Sequence, residues 1–258
     1  MRPPAAYKTK TEMGNAFIFD FDGTLAETIP LTLAAIRSAY ADNGLPAPSE
    51  SEIVANFGSN EFGMFAKMTP ECAEKLFESY VSQYRALHAK YAPEPFAGIG
   101  GILRKIKNAG WKLGLVTGKH RRTAEASLDF YGINGIFDGI RCGGLNGSVK
   151  PENISSLLRE WGEDPRRTWY VGDVAQDVLD ARAAGIRPLC AAWAKTKLSD
   201  NMRRVVTSSI KDVDIVVLVV EPEGRLTEPE LQLLENIKAS GLPCILVINK
   251  IDLYTDKA

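Results

Sequence analysis

Apolar and polar positions along this chain follow two alternating patterns. Short apolar runs with strand character lie at 17–19, 111–116, 168–171 and 187–193. From residue 96 onward they alternate with segments over 99–108, 122–131, 151–161 and 176–184, which read as helices. Strands that alternate with helices predict a parallel sheet joined by right-handed crossovers. The first interval breaks this rhythm. Residues 27–95 read as helical over 30–43, 50–57 and 70–91, with Leu33, Ile36 and Tyr40, then Leu76, Tyr80 and Tyr84, at helical spacing. Pro46 and Pro48 punctuate the first break and Pro93 and Pro95 the last. These proline-bounded edges predict a separate helical lobe inserted between the first two strands.

The residues just after each strand are chemically specific. The run Phe17-Ile18-Phe19 leads into Asp20-Phe21-Asp22-Gly23-Thr24-Leu25. Open α/β sheets place their sites at strand carboxyl ends, and residues two apart on a strand point the same way. Gly23 permits a tight exit from the strand. Two neighbouring carboxylates repel, and a hard divalent cation such as Mg2+, which takes a few carboxylates plus water and phosphate oxygens, would relieve that conflict. The second strand ends in Thr117-Gly118, a hydroxyl and a backbone N–H suited to a phosphate oxygen. Lys150-Pro151 opens a helix, and the residue before a proline is biased towards extended backbone. Thr168-Trp169-Tyr170-Val171-Gly172-Asp173 is a third apolar strand ending in an acid, with Asp177 four residues later.

Taken in order, these four motifs resemble the haloacid dehalogenase superfamily of phosphohydrolases, over roughly residues 13–194. The resemblance implies an α/β, Rossmann-like parallel-sheet core at 13–26 and 96–194 with a C1-type helical cap at 27–95. It implies Asp20 as nucleophile and Asp22 as general acid and base, with Thr117, the Gly118 amide and Lys150 holding the phosphoryl group beside Gly23. Mg2+ is expected at Asp20, the Asp22 carbonyl and Asp173, with Asp177 orienting a metal-bound water. The second aspartate favours phosphoryl transfer over dehalogenation. Segments such as VTGKHRRTAEASLDFYGI and GDVAQDVLDARAAG resemble phosphoglycolate phosphatases, so the expected reaction is hydrolysis of a small phosphorylated metabolite. A phosphomutase that uses Glu27, Arg37, Lys67 or Arg85 of the cap stays open, as does a non-catalytic binding protein. His120, after the threonine loop, is expected to be a solvated helix-start residue.

The tail reads differently. Strands over 214–220 and 244–248 flank a helix over 228–240, and Asn249-Lys250-Ile251-Asp252 comes after them. Residues 195–253 resemble the middle of an Era-like or HydF-like GTPase, a βαβ fragment ending in its guanine-recognition motif. The chain has no GxxxxGK[ST] loop to cradle phosphates, so neither GTPase activity nor micromolar guanine-nucleotide binding is expected. Docking of this fragment onto the sheet is the expectation for 195–258.

Composition narrows the remaining classes. The net charge of −1 provides no basic footprint for nucleic acid. No apolar run approaches the roughly 20 residues of a spanning helix. The first twelve residues read as a flexible leader and not a secretory signal. Cys72, Cys142, Cys190 and Cys244 are scattered without a CxxC pair, which suits the reducing cytoplasm and excludes a zinc site.

Overall fold

The computed structural model describes residues 16–191 and Trp193, together with the backbone of Ile215–Val220 and Cys244–Ile248. Five strands build the core: β1 (Ala16–Phe19), β2 (Lys112–Val116), β3 (Gly139–Arg141), β4 (Thr168–Gly172) and β5 (Arg187–Ala191). They pair in parallel in the order β3-β2-β1-β4-β5. The first strand is therefore central, with Phe19 in register with Leu115 on one side and Val171 on the other. In parallel pairing every carboxyl end lies on one edge, so Asp20, Thr117 and Asp173 emerge together. The amide of Asp20 continues the ladder and donates to the Val171 carbonyl at 2.8 Å. The backbone segments β6 (Ile215–Val220) and β7 (Cys244–Ile248) add parallel strands beyond β5. The tail helix and residues Asn249, Lys250 and Asp252 lie outside the described residues.

Both faces of the sheet are covered, which is why its strands are nearly continuous apolar runs. Side chains alternate faces. Phe19, Leu113, Leu115, Trp169 and Val171 pack with Ile99, Leu103 and Ile106 of α5 (Ile99–Asn108). Ile18, Val116 and Tyr170 pack on the other side with α7 (Lys150–Trp161) and α8 (Ala175–Ala183), through Ile154, Leu157 and Ala181. Each fully buried aliphatic side chain here contributes about 1.5–3 kcal/mol relative to exposure.

Helices α1 (Ile29–Asp42), α2 (Glu50–Ala55), α3 (Glu61–Met68) and α4 (Ala73–Tyr91) form a lobe around their own apolar cluster, in which Leu31, Ile36, Leu76, Tyr80 and Tyr84 are fully buried. The periodicity anticipates α1 and α4. It misses α3, whose eight residues include Gly63 and whose start is fixed by the Asn60 side chain accepting from the Gly63 amide at 2.9 Å. It also misses β3, a three-residue edge strand whose side chains are all only partly buried. Lys150 corrects the extended reading, because it is the first residue of α7. Its two buried ion pairs outweigh the local bias that Pro151 imposes. Among the described residues no helix is long and apolar enough to cross a membrane.

Candidate active site

A cleft of about 620 Å3 opens where the carboxyl edge of the sheet meets the lobe. Its floor holds Asp20, Lys150 and Asp173. The lobe lines it with Thr32, Phe57, Ser59, Glu61 and Met64. One carboxylate oxygen from each of Asp20, Asp173 and Asp177 falls within 4.8 Å of the others, and all three residues are buried. Lys150 binds two of them, with Nζ 3.0 Å from Asp20 Oδ2 and 2.6 Å from Asp177 Oδ1. Asp177 Oδ2 accepts from the Val174 amide at 3.1 Å, so the start of α8 fixes its orientation. Asp173 Oδ1 accepts from the Thr24 hydroxyl at 3.2 Å. Gly23 is required here. Its φ is +71°, and a Cβ at this position would collide with the Asp173 carboxylate.

This crowding shifts the acids. Burial pushes Asp20 from its ordinary 3.8 up to about 7, and the charges of Asp177 and Asp22 add to the rise while Lys150 opposes it. Burial raises Asp173 well above the usual carboxylate range, helped by Asp177 and Asp20. Burial works against the charge on Lys150, but the carboxylates of Asp177 and Asp20 overcome it and raise the ammonium well above its ordinary value. Asp20 Oδ1 is buried and has no hydrogen-bond partner among the described residues. Three converging carboxylates, two of them raised, and an orphaned oxygen make a donor set that fits a hard divalent cation.

The folded Asp20 carboxyl keeps its proton up to about pH 7, whereas the unfolded one releases it near 3.8. Between those values the folded state binds more protons, so the stability of the metal-free protein falls as pH rises through that window. The expected loss is on the order of a few kcal/mol. Thermal melts in EDTA should show a midpoint that declines from about pH 4 to pH 7 and then levels. Millimolar Mg2+ at pH 7.5 should raise the midpoint and flatten the slope. A midpoint indifferent to Mg2+ at that pH would contradict the donor-set reading.

Asp22 stands apart from the three-acid group. Its carboxylate Oδ1 accepts from Lys119 Nζ at 3.0 Å and from the Thr28 hydroxyl, and it lines the same cleft half-buried. Gly118 also lines the cleft. Thr117 is fully buried, is not among the residues lining the cleft, and accepts at its hydroxyl from the Lys119 amide at 3.2 Å. His120 differs from the expected solvated residue. It caps α6 (Arg121–Phe130) through Nδ1, which accepts from the Arg122 amide at 3.2 Å, and its ring packs edge-on against Phe77 at 4.6 Å. Burial lowers its pKa. Among the lobe charges, Glu27 lines the cleft, Lys67 donates to the Ser59 hydroxyl at 2.5 Å, Arg37 pairs with Glu50 on the exterior at 3.2 Å, and Arg85 is exposed.

Two participants are not apparent from the chain alone. Lys119 follows the Thr-Gly pair and is 3% exposed. Burial works against its charge, but Asp22, Tyr84 and Glu61 raise it well above its ordinary value. Glu61 is an ordinary first-turn acid by sequence, yet it is 4% exposed and faces the core loop after β2. A lysine after a strand and an acid at a helix start are both common surface residues, so nothing in the local sequence marks either one.

The family model of haloacid dehalogenase-like hydrolases matches residues 17–191, and the chain belongs to that family of hydrolytic enzymes. It is 30% identical over 183 residues to the pyrophosphatase PpaX of Bacillus pumilus, covering 70% of this chain and 84% of the relative. It is 26% identical over 201 residues to a phosphoglycolate phosphatase of Aquifex aeolicus, covering 76% and 93% respectively. The fold matches that of CbbY from Rhodobacter sphaeroides, solved in complex with phosphate, with a TM-score of 0.61, 24% identity, and 69% and 86% of the two chains covered.

Proposed function

We propose that the protein is a Mg2+-dependent phosphatase that hydrolyses small phosphate monoesters, of the phosphoglycolate or sugar phosphate kind, through a phosphoaspartate at Asp20. The observation that supports this reading is the pairing of one buried nucleophile-and-cation cluster (Asp20, Lys150, Asp173, Asp177) with a separate acid, Asp22, in a single cleft. Asp20, Asp173 and the Asp22 backbone carbonyl would hold Mg2+, with Asp177 orienting its water. When bound, the ion would supply positive charge that attracts the phosphate and favours the ionised form of Asp20 near neutral pH.

The remaining chemistry belongs to the side chains. A carboxylate oxygen of Asp20 bonds to phosphorus as the ester P–O bond breaks. The leaving oxygen takes that electron pair and a proton from Asp22. Water then gives a proton to Asp22 and bonds to phosphorus, the P–O bond to Asp20 breaks, and inorganic phosphate departs. Lys150, 3.0 Å from Asp20, balances charge on the nucleophile and the phosphoryl group in both steps. Gly118 and the Thr117 loop flank the position where that group sits. General acid and base help of this kind contributes about 100- to 10,000-fold, so positioning and charge neutralisation supply the greater part of phosphate-ester catalysis. The lobe α1–α4 acts as a cap that covers the reaction and selects the leaving group. The free thiols of Cys72, Cys142 and Cys190 suit a cytoplasmic setting.

A panel of phosphomonoesters assayed for phosphate release with Mg2+ or with EDTA tests this reading. Mg2+-dependent release from at least one small ester is the expected result. No release across sugar phosphates, phosphoglycolate, pyrophosphate and p-nitrophenyl phosphate would overturn it.

A further inference from the structure

Lys119 and Glu61 form a buried link between the lobe and Asp22. Lys119 Nζ lies 3.0 Å from Asp22 Oδ1, 3.7 Å from Glu61 Oε1 and 4.8 Å from the Tyr84 ring centre. Glu61, on α3 of the lobe, is held from several directions. Its Oε1 accepts from the Thr123 hydroxyl at 2.7 Å and the Tyr80 hydroxyl at 3.2 Å, and its Oε2 accepts from the His120 amide. The neighbouring Asn60 docks on the opposite core loop: its amide donates to the Gly144 carbonyl at 2.8 Å and its side chain to the Gly143 carbonyl at 2.9 Å. At Gly63 a Cβ would strike the Leu145 carbonyl, so the approach depends on glycine. The start of α3 is thus the point where the lobe seats on two loops of the core. It also brings a carboxylate of the lobe, Glu61, to the cation that grips Asp22, beside the Tyr84 ring of α4.

We propose that Lys119 is a positioning residue for the Asp22 carboxylate, and that Glu61 fixes Lys119 only when the lobe is seated, so that cap closure is coupled to proton delivery onto the leaving group. This rests on the hydrolytic reading above. Without Glu61 the Lys119 ammonium loses its tie to the lobe and can shift against Asp22, whose carboxylate then keeps, among the described residues, only the Thr28 hydroxyl as a fixed partner, and the acid faces the leaving oxygen at a less defined distance. Proton transfer in the transition state depends on that distance.

Leaving-group dependence separates this role from a merely structural one. p-Nitrophenolate departs with little need of a proton, whereas an alkoxide leaves only as it is protonated. Lys119→Met and Glu61→Gln should therefore lower kcat/KM for an alkyl ester such as phosphoglycolate or glycerol phosphate by about 100- to 1,000-fold, within the span that general acid catalysis provides. On p-nitrophenyl phosphate the same variants should lose less than about tenfold in kcat/KM, which reports only the steps up to departure of the leaving group, while kcat falls on both esters because the second step uses Asp22 as base. Lys119→Met breaks a buried ion pair and stands to lose stability. Glu61→Gln keeps the side-chain volume and an oxygen for Thr123 and Tyr80 but turns an NH2 towards the His120 amide, so its melting midpoint is measured alongside, and a soluble, folded variant provides the independent arm. Equal losses of kcat/KM on both esters, or no loss on either, overturn the proposal while leaving the hydrolytic reading intact. A parent that releases phosphate from no substrate of the full panel overturns both.

Discussion

Asp20→Asn will abolish turnover and leave the fold at least as stable as the parent. The amide cannot attack phosphorus, and loss of a covalent nucleophile leaves only the catalysis that positioning provides, so the expected drop in kcat is about 10,000-fold or more. Stability should move the other way. Asp20 is buried among acids that push its carboxyl up to about 7, so its ionised form is a burden on the metal-free protein at pH 8. Asparagine has nearly the same shape and no charge, and Lys150 keeps its partner Asp177 at 2.6 Å. A thermal midpoint in EDTA that is unchanged or a few degrees higher is the expected companion to the lost activity. A variant that is both inactive and much less stable would show Asp20 to be a structural residue instead.

Lys150→Met will remove activity and stability together. The ammonium is the cation shared by Asp20 and Asp177 at 3.0 and 2.6 Å, and both carboxylates are almost fully buried. Breaking a buried ion pair by deleting one partner typically costs about 3–5 kcal/mol, because the other charge is left uncompensated. For a chain of this size that corresponds to a fall of roughly 10 °C in melting midpoint. The deficit should shrink in acid, where Asp20 takes up its proton, and should be partly recovered in an Asp20→Asn, Lys150→Met double variant, which carries one fewer orphaned charge. Activity should fall at least about a thousandfold, since the nucleophile and phosphoryl group lose their common counter-charge. Melts of the two single variants and the double variant across pH 5–8 check this, and a Lys150→Met midpoint equal to that of the parent would contradict it.

These opposite stability responses arise from residues that the sequence makes easy to find. Asp20, Thr117 and Asp173 each follow an apolar strand, and in-register parallel pairing of β1 with β2 and β4 carries the three strand ends to one edge. Lys150 is legible through the proline beside it, although its own conformation is not, because the ion pairs that decide it come from residues 130 positions upstream and 27 downstream. The lobe is legible as an interruption of the alternating pattern. Its α3 helix is not, since eight mixed residues with a central glycine have no clear period, and contacts with the loop at Gly143 and Gly144 help hold it in place. Lys119 and Glu61 are likewise hidden by distance along the chain. An acid at a helix start and a lysine after a strand are both common surface residues, and only tertiary packing buries them against one another and sets Lys119 against Asp22.

The covalent step at Asp20 is central to the proposed chemistry, and Asp22→Asn is the variant that exposes it. With p-nitrophenyl phosphate the first step needs little acid, whereas the second still needs Asp22 to take a proton from water. Rapid-quench assays of Asp22→Asn with Mg2+ should therefore show a burst approaching one equivalent of nitrophenolate, then slow turnover. Mass spectrometry of the quenched protein should find a phosphoryl adduct on the peptide that contains Asp20. Linear release without a burst, together with no adduct on that peptide while phosphate is still being produced, would contradict the phosphoaspartate mechanism.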